Sequence, residues 1–120
     1  MMHNILIIED NEQNMYMLTY LLESNNYRVF QSFNGPEGIA LAKQTQPDVI
    51  LLDIQLPEMD GYAVARELRK NKDLSTTPII AVTSYAMTGD KEKAFEAGAT
   101  GYIEKPIDPD TFISQMEVFI

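Results

Sequence analysis

The sequence predicts a three-layer α/β/α domain, a five-stranded parallel sheet with helices on both faces. Three observations predict it. Short β-branched apolar runs alternate with longer helical patterns, strand then helix, five times over. The apolar runs are mostly continuous, as in strands covered on both faces. At 120 residues the chain can bury one respectable core, yet it is far too short for an eight-stranded barrel.

The elements follow in order. Ile5-Leu6-Ile7-Ile8 reads as the first strand and ends in Glu9-Asp10. Asn11 can cap a helix running through Met15, Leu18, Leu21 and Leu22 and fading at Asn25-Asn26. Tyr27 to Phe33 alternates polar and apolar, like a half-exposed strand. Asn34 can cap the second helix, with Pro36 near its start and an end before Pro47. Val49-Ile50-Leu51-Leu52 is the third strand and stops at Asp53. Past Pro57 and Gly61, a helix carries Tyr62 to Ala65 and Leu68 and closes on Arg69-Lys70, cations that suit the end of the dipole. Ile79 to Val82 follows Pro78 as the fourth strand and ends in Thr83-Ser84. Thr88 is the expected cap of the fourth helix and Gly98 its terminator. Gly101-Tyr102-Ile103 forms a short fifth strand before Glu104-Lys105-Pro106. Asp108-Pro109, a cap and a first-position proline, is expected to open a last helix whose apolar face holds Phe112, Ile113, Met116, Phe119 and Ile120, with Val118 off that stripe. Repeats, low-complexity tracts and Pro/Ser-rich linkers are absent, so one domain over residues 1–120 is expected.

Composition narrows the function. Eighteen acidic residues against nine basic leave a net charge of −9, which repels phosphate backbones and anionic membranes. Direct nucleic-acid or membrane binding is therefore not expected. With no cysteine there is no disulfide framework and no thiolate metal site. The amino terminus lacks a secretory pattern, and no apolar run is long enough for a membrane span. These features fit a cytoplasmic protein. The lone His3 precedes the first strand and reads as a surface or edge residue, not a phosphoacceptor. Met15 and Met116 suit helix core faces, which leaves Met87 as a methionine for partner contact.

Burying a carboxylate after Val49-Ile50-Leu51-Leu52 costs several kcal/mol unless something compensates it (roughly 2–7 for an uncompensated polar group, more for an ion). In an open parallel sheet the carboxyl ends of the strands share one edge, where functional groups collect. That edge would gather Glu9-Asp10, Asp53, Thr83-Ser84 and Lys105: three carboxylates, a hydroxyl and an ammonium. Taken singly, a strand-end carboxylate is most often a cap or turn residue. Converging without a cation, three would repel one another. Mg²⁺ resolves the conflict, because it favours a few carboxylates plus water and phosphate oxygens. The hydroxyl and ammonium then suit the oxygens of a phosphoryl group, and central Asp53 suits a carboxylate nucleophile.

On "ILIIEDN", "VILLDIQLPEMDG", "IIAVTSYAM" and "GYIEKPI", in matching order and spacing over essentially the whole chain, the sequence resembles the receiver domain of two-component response regulators. The segments "EDNEQN", "DIQLPEMDG" and "SYAMTGD" look most like stand-alone regulators of the DivK type and receivers of hybrid histidine kinases. The resemblance implies a flavodoxin-like (βα)5 fold with strand order 2-1-3-4-5. It implies that Asp53 accepts phosphate from a sensor histidine kinase or phosphotransfer protein. It assigns Mg²⁺ to Glu9, Asp10, Asp53 and the carbonyl of Gln55, the outermost partly through water. Thr83 and Lys105 would bind phosphoryl oxygens, Tyr102 would be the aromatic switch residue beside Thr83, and a downstream effector protein would read the result. Glu9 stands where many members have Asp, and no output domain follows the fifth helix, as in a stand-alone regulator or a piece of a longer protein.

Three other classes fit less well. A haloacid-dehalogenase-type phosphatase needs an acid two residues after the nucleophile, where this chain has Gln55, and room for a cap domain. A flavodoxin-like electron carrier needs a hydroxyl- and glycine-rich phosphate loop, not "EDNEQN". A receiver-shaped scaffold that never takes phosphate would lack a member of the set, and none is missing. The expected activity is thus a switch that catalyses only its own phosphorylation and dephosphorylation.

Overall fold

A computed structural model of the chain describes residues 2–84 and 89–120. Five parallel strands, β1 (Asn4–Ile8), β2 (Arg28–Ser32), β3 (Val49–Asp53), β4 (Ile79–Thr83) and β5 (Gly101–Glu104), form one sheet in the order β2-β1-β3-β4-β5. Five helices connect or follow them: α1 (Glu12–Ser24), α2 (Gly35–Thr45), α3 (Gly61–Lys70), α4 (Asp90–Ala97) and α5 (Phe112–Glu117). Fold class and strand order are as expected.

The continuous apolar runs explain the layers. Alternate residues of a strand face opposite sides, so Ile5, Ile7, Val49, Leu51, Ile80 and Val82 meet α1 and α5 through Met15, Leu18, Leu22, Phe112 and Met116. Leu6, Ile8, Ile50, Leu52 and Ile79 meet α2, α3 and α4 through Ala42, Val64, Leu68 and Ala97. Each such aliphatic side chain contributes about 1.5–3 kcal/mol on burial. The alternating segment is the edge strand β2, where Arg28 and Gln31 are exposed. At its start the buried Tyr27 donates its hydroxyl to Glu117 on α5, which ties this edge to the end of the chain. His3 lies at the opposite end of the sheet from the carboxyl edge, half exposed and 3.6 Å from Asp48.

Caps account for most helix boundaries. Asn11 and Asn34 each accept the backbone N–H three residues on, from Asn14 and Glu37, an arrangement worth about 1 kcal/mol. Gly98 terminates α4 with φ +117, the left-handed value a terminating glycine supplies. The expected cap Thr88 and the methionine Met87 lie outside the described residues. Two readings at the carboxyl end need correction. The last helix begins at Phe112, not after Asp108, because Asp108 Oδ1 accepts from Asp110 N and its carbonyl accepts from Thr111 N and Phe112 N. Residues 108–111 are consumed by that turn. Ile120 is 45% exposed and leaves the apolar stripe, since α5 gives way after Glu117 to tighter turns. Val118 does face solvent, at 78% exposure.

Candidate functional site

Parallel register delivers the carboxyl ends of β1, β3, β4 and β5 to one edge. Ile8 pairs with Leu52, Asp53 with Val82 and Thr83 with Glu104. Glu9, Asp53, Thr83 and Lys105 are therefore neighbours although up to 96 residues separate them in sequence. Glu9 (1% exposed) and Asp53 (4%) are buried, whereas Asp10 is exposed.

The ion pairing is lopsided. Lys105 Nζ lies 2.8 Å from Glu9 Oε1 and 3.5 Å from Asp53 Oδ2. One ammonium thus serves two buried carboxylates. Backbone donors supply more: Gln55 N donates to Asp53 Oδ1 at 2.9 Å, and Asn11 N to Glu9 Oε2 at 3.2 Å. The Glu9 carboxyl is still held above its ordinary value. Burial is the main cause, a hydrogen bond and charge repulsion from Asp53 add to it, and Lys105 opposes both. A site that keeps negative charge in excess at this depth fits a divalent cation. One oxygen from each of Glu9, Asp10 and Asp53 lies within 4.8 Å of the others, so the three could hold such an ion together. Glu9 turns inward onto Lys105, while Asp10 is the carboxylate that reaches solvent.

Thr83 is buried (3% exposed) at the end of β4, and its carbonyl accepts from Lys105 N at 2.7 Å. The Lys105–Pro106 peptide is cis. Tyr102 lies on the neighbouring edge strand β5, half-buried and packed against Ile54, Ala81 and Ala94. The expected site residues Glu9, Asp10, Asp53, Gln55, Thr83, Tyr102 and Lys105 therefore lie at or beside this edge.

Some contributions were not read from sequence, even where the residue was named. Ser84 donates through N and Oγ to the Gln55 side chain, extending the link between β3 and β4 beyond the last strand pair. Asp60 caps α3 by accepting from Ala63 N; it stands one residue before the helix with an acceptor side chain, so the signal was present. Gly61 is demanded by space, not by φ. A Cβ there would lie 2.5 Å from Ile54 Cα and 2.7 Å from the Asp53 carbonyl oxygen. Both are backbone atoms of the segment that carries Asp53. Gly61→Ala is expected to cost about 1–3 kcal/mol by displacing the backbone of Asp53 and Ile54; unchanged thermal melting would contradict the close approach.

This architecture defines the class. The chain is a doubly wound α/β domain, similar along its whole length to the chemotaxis protein CheY4 of Vibrio cholerae with a TM-score of 0.96 and 27% identity, each chain fully covered. It belongs to the response regulator receiver domain family, whose model matches residues 5–117, and so to the receivers of two-component signalling. The polar-differentiation response regulator DivK of Brucella anthropi is 40% identical over 117 residues, 98% of this chain and 95% of that protein. DivK of Brucella ovis is 39% identical over 120 residues, covering 100% and 98% respectively. The receiver domain of sensor histidine kinase PA1611 from Pseudomonas aeruginosa, solved with a magnesium ion coordinated in its active site cleft, is 33% identical at a TM-score of 0.91, covering 99% of this chain and 98% of that one. The resemblance to receivers, and to DivK-type regulators among them, holds. Among the described residues no helix is long and apolar enough to cross a membrane.

Proposed function

We propose that this protein is a phosphorylation-dependent signalling switch whose acceptor is Asp53, working in the cytoplasm. The observation that carries the reading is the packing of Glu9, Asp10 and Asp53 oxygens within 4.8 Å of one another, with the Lys105 ammonium 3.5 Å from the acceptor. A carboxylate oxygen of Asp53 attacks the phosphorus of a phosphohistidine on a sensor histidine kinase or phosphotransfer protein. The P–N bond breaks, its electron pair returns to the imidazole nitrogen, and that nitrogen takes up a proton. The product is an aspartyl phosphate, later hydrolysed to Asp53 and inorganic phosphate.

Glu9, Asp10, Asp53 and the Gln55 carbonyl would hold Mg²⁺, which when bound supplies charge neutralisation to the phosphoryl oxygens. Lys105 exchanges its carboxylate partners for a phosphoryl oxygen, and the Thr83 hydroxyl donates to another. Gln55 is an amide engaged by Ser84, which speaks against the general acid a phosphomonoesterase requires. Chemistry is thus confined to the domain's own phosphorylation and dephosphorylation.

The signal passes on by packing. As Thr83 turns toward the phosphoryl group, Tyr102 rotates inward, and the surface of α4, β5 and α5, including exposed Val118, changes for a downstream effector protein. Incubation with acetyl phosphate and Mg²⁺ should add one phosphoryl group per chain, mapped to Asp53 and lost on chelation. Labelling elsewhere, or at the same rate without Mg²⁺, contradicts the reading. Asp10→Asn should weaken Mg²⁺ binding at least about tenfold in a calorimetric titration, because Asp10 is the carboxylate of the set that faces solvent.

A further inference from the structure

The passage from α4 into β5, residues 98–101, lies at the amino ends of the strands, opposite Asp53, and is held from three sides. From α3, Arg69 Nε donates to the Gly98 carbonyl at 2.9 Å. The same guanidinium donates to the Leu74 and Thr77 carbonyls, each at 2.7 Å, and to Thr100 Oγ1 at 3.1 Å. From β4, Ile79 N donates to that same Thr100 Oγ1 at 3.2 Å, and Thr100 N donates back to the Ile79 carbonyl at 2.7 Å. From the end of the chain, the Phe119 ring lies against Gly101, where a Cβ would stand 2.4 Å from Phe119 Cζ.

Arg69 is the member that joins these parts. Its planar fork ties the last turn of α3, the link into β4 and the turn into β5 in one fixed geometry, losing little freedom for each bond made. Its four acceptors are neutral oxygens, so direction and fit hold it there. A Cβ at Gly98 would lie 2.6 Å from Arg69 Cγ, so the stem occupies the place of a side chain. Tyr102 comes directly after this unit. It pairs with Ala81 and packs against Ile54, Ala81 and Ala94. Side chains occupy discrete rotamers. A ring passes between two of them as a single event only if its backbone stays put; a strand free to slide would spread the change over many small shifts.

We propose that Arg69 is a positioning residue of the switch, acting on Tyr102 through Thr100. It fixes the start of β5, so that Tyr102 reorients on a stationary backbone and the response to phosphorylation stops short of residues 98–100. The proposal rests on the reading of Thr83 and Tyr102 as the switch.

The test compares wild type with two variants. Arg69→Lys keeps the charge and most of the stem but loses the fork, and Thr100→Val removes the acceptor that Arg69 and Ile79 share. Amide exchange is read in each with and without beryllofluoride and Mg²⁺, and labelling by acetyl phosphate checks the acceptor. The amides of Gly98, Ala99 and Thr100 are all hydrogen-bonded and serve as probes. In wild type, beryllofluoride should alter protection around Thr83 and Tyr102 and leave these probes unchanged. Without it, both variants should exchange faster at the probes by about tenfold or more, as when a hydrogen bond to a charged group is lost. With it, the probes of both variants should show a further change that wild type lacks. A merely structural clamp would raise exchange equally in the two states and leave the difference between them as in wild type. That result overturns the proposal, as does a wild type whose probes respond. A wild type that is labelled at Asp53 but does not respond at Tyr102 overturns the switch reading, and this role of Arg69 with it.

Discussion

Asp53→Asn is expected to reduce Mg²⁺-dependent labelling by acetyl phosphate at least about a thousandfold, as loss of a covalent nucleophile does, while leaving the domain folded. The amide keeps an oxygen that can accept from Gln55 N, now 2.9 Å from Asp53 Oδ1. What disappears is the negative charge. Glu9 would then have Lys105, at 2.8 Å, to itself. Removing one of two carboxylates that compete for one ammonium should raise stability by about 0.5–2 kcal/mol, the usual trade between a strained functional site and a stable fold. Intact-mass measurement reads the first effect and thermal melting the second. Labelling at the wild-type rate would remove Asp53 from its role. A melting temperature lowered by several degrees would mean that its charge supports the fold.

Lys105→Met should have the largest effect on stability. Breaking a buried ion pair from one side costs about 3–5 kcal/mol, and here two buried carboxylates would face each other without their ammonium. The pH dependence has a definite sign. Glu9 is already held above the ordinary 4.5 by burial and Asp53, against the opposing pull of Lys105. Without Lys105 it rises further. A carboxyl raised on folding contributes stability that is complete below its unfolded value and is lost as pH climbs through the folded one. The variant should therefore lose more stability than wild type between about pH 4.5 and neutrality. Mg²⁺ should restore much of it, by about 2.7 kcal/mol at a hundredfold excess over the dissociation constant. Melting curves across pH, with and without Mg²⁺, check all of this. A variant with wild-type pH dependence and no Mg²⁺ rescue would show that Lys105 and the cation do not neutralise the same charges.

How much was legible in advance depends on the range of the force involved. The strands could be read because a sheet covered on both faces needs unbroken apolar runs, and Ile5–Ile8, Val49–Leu52 and Ile79–Val82 supply them. Asn11 and Asn34 could be read because a cap acts within three residues. Asp108 misled for the same reason. Its local bonds were foreseeable, but they close a separate turn, and the helix waits for Phe112, which is fully buried. Ile120 misled because extending a helical period by one turn assumes a helix that ends at Glu117.

By itself the sequence determined the alternation of elements, the parallel sheet and the identity of the groups at its carboxyl edge. Local propensity, strand burial and the direction of a parallel sheet suffice for these. Only the tertiary structure decided how the charges are shared: that Lys105 sits closer to Glu9 than to Asp53, and that Asp10 faces solvent. It also decided that Arg69, which reads as an ordinary cation ending a helix, spends its donors on four neutral oxygens from two separate segments, Leu74–Thr77 and Gly98–Thr100. The same holds for Gly61, whose missing Cβ lets α3 lie against the backbone of Asp53 and Ile54. Electrostatic competition and close packing depend on distances between segments that the chain brings together only by folding. No local pattern of residues records those distances.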